Sequence, residues 1–133
     1  MRILGIDHGD VRIGLALSDE SGTVARPLQV IQHVAREADA ETIARIAAEK
    51  EAKLIVIGLP TDSDGEIGPQ ARKVQRWAGA LKQATATPVE FWDESFSSQE
   101  AGSLSHRKRG EPTDAQAAAV MLQNYLDAHR SLT

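Results

Sequence analysis

An α/β fold built on one mixed sheet is predicted by two features of this sequence, the periodicity of its apolar residues and the order in which that periodicity changes. Three short β-type runs come first and follow one another directly, as in an antiparallel meander. Helical and strand patterns then alternate through the second half, which points to parallel strands joined by right-handed crossovers. Five strands and their intervening helices fill the 133 residues as a single domain, 1–133, with no repeat, low-complexity tract or linker to divide it.

The first two strands are read in Arg2 to Asp19, RILGIDHGDVRIGLALSD. Ile3, Leu4 and Ile6 form one apolar run and Ile13, Leu15 and Leu17 the next, with a tight turn at His8-Gly9-Asp10 between them. Thr23 to Val34 supplies a third strand, and Pro27 marks it as an edge. From Asp39, placed as the helix cap, the period changes so that Ile43, Ile46 and Ala47 share one face.

Leu54 to Gly58 is a continuous apolar run of the kind found in strands covered on both faces. A polar, Gly-bearing loop from Leu59 to Gly68 follows, and Pro69 opens a helix that buries Ala71, Val74, Ala78 and Leu81. Pro88 to Trp92 is the fifth strand. Capping-box patterns at Ser97–Glu100 and Thr113–Gln116 start two more helices, the last running through Ala118, Met121, Leu122, Tyr125 and Leu126. Trp77 and Trp92 fall on an amphipathic helix and a central strand, so core packing is the role expected of them.

Composition narrows the function classes. With 41% hydrophobic and 26% charged residues the chain is ordinarily globular. The absence of cysteine excludes disulfides, thiol nucleophiles and Cys-ligated zinc. No apolar run approaches the roughly 18 residues of a membrane span, and a strand pattern stands where a leader would, so a cytoplasmic protein without membrane association is expected. The net charge of −4 is not that of a general nucleic-acid binder, but the cations are unevenly spread: Arg107, Lys108 and Arg109 form a dense run, and Arg12 lies just past the first turn. Beside an acidic site such cations would clamp phosphates.

Three carboxylates carry the chemical expectation. Asp7 and Glu94 each follow an apolar strand run, so both reach the same edge of the sheet if their strands are parallel and close. Asp114 shares a helical stripe with Ala118, Met121 and Tyr125 and should point inward. Singly, each has an ordinary explanation as a turn former, a solvated strand end or a residue favoured by the helix dipole. Together they would repel unless a divalent cation neutralised them, and ligands offering oxygen alone suit Mg²⁺ or Mn²⁺. Two such ions about 4 Å apart clamp the attacking water and the leaving oxygen of a phosphodiester in line.

Four blocks, GIDHGDVRIGLALSD, GLPTDSDGEIGPQA, WDES and TDAQAAAVMLQNYL, in that order resemble the motifs of the YqgF-type family, also called RuvX or Holliday-junction-resolvase-like, over nearly the whole chain. The resemblance implies an RNase H-like fold with a five-stranded mixed sheet. It also implies a nuclease dependent on Mg²⁺ or Mn²⁺, with a two-ion site, whose acidic residues match Asp7, Glu94 and Asp114. The family is associated with maturing the 5′ end of the small-subunit rRNA precursor, in contact with the ribosomal small subunit, and an older assignment is resolution of four-way DNA. Ser95 stands where the family usually has Arg, and Asp10 where Thr or Ser is common. A non-catalytic RNA- or ribosome-binding factor and a phosphoryl-transfer enzyme are the competing readings, the latter disfavoured because it needs two domains around a cleft. Monomer and homodimer both remain open.

Overall fold

In the computed structural model, residues 1–60, 67–93 and 114–130 are described. The chain runs β1 (Arg2–His8), β2 (Arg12–Ser18), β3 (Ala25–Gln32), α1 (Arg36–Glu49), β4 (Ala52–Leu59), α2 (Pro69–Ala84), β5 (Val89–Asp93) and α3 (Asp114–Arg130). The predicted short helix from Ser97 lies outside the described residues, as does Thr113 of the second capping box.

The five strands form one sheet in the order β3-β2-β1-β4-β5. The hairpin and β3 pair antiparallel, while β1 with β4 and β4 with β5 pair parallel, which is the mixed sheet read from the sequence. Pro27 sits on the edge strand β3, where a missing N–H breaks no interior ladder, and the β2–β3 register shifts beside it. The β2–β3 turn is held by Asp19, whose carboxylate accepts from the Thr23 and Val24 N–H groups and the Ser21 hydroxyl. These bonds, that from Thr23 foremost, hold its pKa down to about 2.

Strand alternation divides the core into two layers. Leu4 and Ile6 of β1, Ile13 and Leu15 of β2 and Ile55 and Ile57 of β4 face α1 and α2, meeting Ile43, Val74, Trp77 and Leu81. On the other side Ile3, Ala16, Leu54 and Val56 meet Ala118, Met121, Leu122, Tyr125 and Leu126 of α3. Because β4 is covered on both faces, its sequence is apolar without alternation. α3 is tied to the far edge by Tyr125, whose hydroxyl donates to Glu90 Oε1 at 2.7 Å. Burial, then that bond, raises the Tyr125 pKa.

Two expectations are overturned. β5, which carries Trp92, is an edge strand of the sheet and not a central one. Asp39 does not cap α1: the helix begins at Arg36, Ala35 occupies the N-cap position, and no side chain caps it. Asp39 instead turns inward from the first turn and is 2% exposed. Its carboxylate accepts from the Val34 N–H at 3.0 Å and from Trp77 Nε1 at 3.0 Å, and bonds His33 Nδ1. A buried carboxylate is tolerated only when its lone pairs are so occupied. Periodicity could not separate the two placements, since Asp is equally at home before a helix and in its first turn.

Burial pushes the Asp39 pKa up, but the bonds from Val34, Trp77 and His33 outweigh it and leave the group below the ordinary carboxylate value. A group whose folded pKa is depressed contributes stability above its unfolded value, and that contribution is lost as pH falls through the folded one. Asp39→Ala should therefore lower unfolding free energy by about 3 kcal/mol at pH 7, because it strands the buried Trp77 Nε1–H and two part-buried partners, His33 and the Val34 N–H. In urea melts the gap between variant and parent should hold from pH 7 to pH 5 and shrink below about pH 4.

Candidate active site

The carboxyl ends of the parallel strands lie at the edge of the sheet where β1 turns into β2. Asp7, one residue from the end of β1, pairs across to Gly14 of β2. Residues 3 and 5 face α3, Ile3 within its core layer and Gly5 beneath Leu122, so alternation places Asp7 on that face too.

Gly14 explains how α3 reaches this spot. A Cβ built on Gly14 would lie 1.9 Å from the backbone oxygen of Asp114, so only a residue without one admits the helix's first turn. The Asp114 backbone therefore rests against the cross-strand partner of Asp7, which sets two acidic residues from opposite ends of the chain beside one strand end. Gly5 repeats the device two residues earlier, where an added Cβ would come 2.9 Å from Leu122 Cβ.

Asp114 is less inward than its helical stripe suggested. Its side chain is 38% exposed and is paired with Arg12, whose Nε donates to Oδ2 at 2.8 Å. Arg12 precedes Gly14 by two residues and so lies on the same face, which carries its guanidinium to the carboxylates. An exposed pair of this kind contributes at most about 1 kcal/mol to stability, and its consequence is electrostatic, placing positive charge where two acids gather.

Of the seven residues singled out from sequence, the structure brings Asp7, Asp114 and Arg12 together. Glu94, Arg107, Lys108 and Arg109 lie outside the described residues, although β5 ends at Asp93, two strands from β1 and at the same sheet edge. Among the described residues no cluster of three or more His, Asp or Glu side chains suited to a metal forms. The donor set that does assemble contains carboxylate oxygen only, which fits Mg²⁺ or Mn²⁺ and no softer ion.

Sequence reasoning also passed over Lys73. It projects from α2 to the β1–β2 turn, where its Nζ donates to Asp10 Oδ1 at 3.0 Å. This bond is the main reason the Asp10 carboxyl lies below its ordinary range. The charge at Asp10 is thus matched by a lysine 63 positions away, a pairing that no local pattern signals.

The sequence profile of the RuvX family, described as Holliday junction resolvase, matches residues 1–128. This chain belongs to the RuvX family. Among RuvX relatives, a protein of Thermoanaerobacter pseudethanolicus is 41% identical over 98% of this chain and 99% of its own length. One from Anaeromyxobacter sp. strain Fw109-5 is 44% identical over 98% and 100%. Both carry the name "Putative pre-16S rRNA nuclease". In the fold, the RuvX chain is similar to Thermus thermophilus RuvC in complex with a Holliday junction substrate, with a TM-score of 0.63 at 17% identity over 98% of this chain and 96% of that one. The fowlpox virus Holliday junction resolvase matches with a TM-score of 0.53 at 14% identity over 96% and 99%. The RNase H-like architecture expected from the motifs is thereby established, and as a RuvX member the chain is a nuclease.

Gly14→Ala tests the packing that joins the two carboxylates. It should cost about 3 kcal/mol of stability and about 100-fold in cleavage rate by shifting Asp114 relative to Asp7. Gly5→Ala should destabilise by a similar amount while leaving the rate of the folded fraction within about threefold, since its neighbour is Leu122 and not a carboxylate carrier. Denaturant melts paired with single-turnover cleavage distinguish the two.

Proposed function

We propose that this RuvX nuclease is metal-dependent, uses Asp7, Asp114 and Glu94 to hold Mg²⁺ or Mn²⁺ in a two-ion site, and hydrolyses phosphodiester bonds of structured RNA. The observation that carries the proposal is the meeting of Asp7 and Asp114 across Gly14. Acidic side chains gathered at one strand end offer a divalent cation hard oxygen ligands alone. When bound, the ions supply positive charge that acidifies an attacking water and offsets the charge of the phosphate oxygens.

The chain's own residues have separable tasks in this reading. Asp7 is paired to Gly14 of β2 and follows directly on Ile6, the last residue of β1 paired to β4, so it is the rigid reference of the site. Asp114 is carried by the first turn of α3 and is oriented by Arg12 until substrate arrives. Arg12 can then turn to a substrate phosphate, since its side chain is 62% exposed. Arg107, Lys108 and Arg109 precede Asp114 in sequence and are assigned to phosphates farther along the strand.

Action on pre-16S rRNA is the substrate assignment the relatives' names support, and we assign it to maturation of the 5′ end, in the cytoplasm and at the small ribosomal subunit. Cleavage of four-way DNA is the second reading, supported by the family's description and by the likeness to a resolvase seen with its junction. In both, residues 1–133 act as one domain, and either a monomer or a homodimer is compatible with the site.

Asp7→Asn removes the charge at nearly constant shape. It should reduce cleavage of a small-subunit rRNA precursor by about 1,000-fold, as should chelation of divalent metal, with the thermal midpoint unchanged or raised. Parallel assays on precursor RNA and on a four-way DNA junction decide the substrate. Full activity of Asp7→Asn on both would remove the site assignment.

A further inference from the structure

On the opposite face of the sheet from the carboxylates, a cavity of about 330 Å³ opens between the β1–β2 turn, the end of β3, the start of α1 and the middle of α2. Its floor is aromatic: His8 lies 4.8 Å from Trp77 and 5.5 Å from His33 between ring centroids. Its rim is cationic, with Arg36 from α1 and Lys73 and Arg76 from α2. Three cations around one cavity are unexpected in a chain of net charge −4.

The negative groups nearby are already engaged. Asp10 accepts from Lys73, and Asp39 is sealed beneath Trp77, occupied by Trp77, Val34 and His33. Arg36 leans on its neighbour Glu37 at 3.2 Å in an exposed pair of little strength. Arg76 has no ion-pair partner among the described residues.

The backbone adds a second source of positive potential. Ala35 and Arg36 line the cavity at the start of the 14-residue α1, which no side chain caps. The first intrahelical bond of that turn is from Asp39 N–H to the Ala35 carbonyl, so the N–H groups of residues 36 to 38 precede the ladder, that of Glu37 being met by its own carboxylate. An uncapped helix start favours an oxyanion, and here it shares a walled cavity with side-chain cations from a second helix. A neighbouring cavity of about 430 Å³ between α1 and α2 shares Arg36 and Arg76 with it, and there Glu37 and Glu41 stand beside them.

We propose that this cavity is a phosphate-binding site, gripped by Arg76, Lys73 and the first turn of α1, that holds a nucleic-acid backbone phosphate remote from the one being cut. The β1–β2 turn connects the two faces, with Asp10 on the cavity and Arg12 at the carboxylates, so a strand passing over the end of the sheet can occupy both. The assignment of the phosphate to nucleic acid rests on the nuclease reading. The existence of the site does not.

Two measurements separate the site from its occupant. Inorganic phosphate is titrated into the metal-free protein at constant ionic strength, with chloride as control, while backbone amide NMR shifts are followed. Saturable shifts confined to residues 35–38 and the 73–77 segment, with affinity falling about tenfold in Arg76→Ala, are expected. Shifts that do not saturate, or that persist unchanged in Arg76→Ala, overturn the site.

Fluorescence anisotropy of a structured RNA in EDTA then reads binding without cleavage. Arg76→Ala and Lys73→Ala should each weaken it severalfold and reduce the salt dependence of log K by about one unit. Phosphate binding that responds to Arg76→Ala beside RNA binding that does not would overturn the nucleic-acid assignment and point to a free phosphate compound. A protein that passes both tests yet cuts neither RNA nor DNA would defeat the nuclease reading and leave the phosphate site standing.

Discussion

The fit of the first turn of α3 against Gly14 is the constraint on which the site depends. A backbone carbonyl occupies the space where any other residue would carry a side-chain carbon, so the helix sits closer to the sheet than ordinary side-chain layers permit. That closeness sets two acids, 107 residues apart in sequence, one on β1 and the other against the strand residue paired to it. Gly5 and Ala16 keep the same face low along the helix, and Leu122 fills the groove they leave. The opposite face has the reverse character, with Leu4, Ile6, Ile13 and Leu15 filling a thicker layer against two helices.

That thicker layer carries its own polar node. Asp39 is as buried as the leucines around it, and it joins the end of β3 to α1 and α2 through His33, Val34 and Trp77. Three elements are thereby located by one carboxylate, in the manner of buried polar groups that specify an arrangement more than they stabilise it. The cationic cavity opens directly above this node, so the residues that orient its walls are those that satisfy Asp39. β1 changes in kind toward its carboxyl end: its apolar middle is covered by helices on both sides, whereas Asp7 and His8 emerge on opposite faces, Asp7 beside the first turn of α3 and His8 against Trp77 and His33.

Much of this was legible in the chain. The period-two runs and the proline in β3 marked strands and an edge, and the apolar run of β4 announced a strand covered on both faces. Trp77 was rightly assigned to the core, being 4% exposed. Asp7 and Asp114 were found as acids out of place in apolar surroundings, a signal that survives in sequence because burying charge is costly enough to be rare. Asp39 misled because its local pattern suits a cap and a first-turn residue equally, and the choice is made by Trp77 and His33, which lie elsewhere.

What the sequence alone determined was the order and type of the elements, the faces they bury and the identity of the acids, since these follow from local periodicity and the cost of burying charge. Tertiary structure decided the rest: that Gly14 admits Asp114, that Arg12 compensates it, that Lys73 answers Asp10, and that cations from two helices ring one cavity. Each of these is a contact between residues distant in the chain, made when β-strands pair and helices pack. Short-range pattern holds no record of such distances, because they come into being only when the layers close.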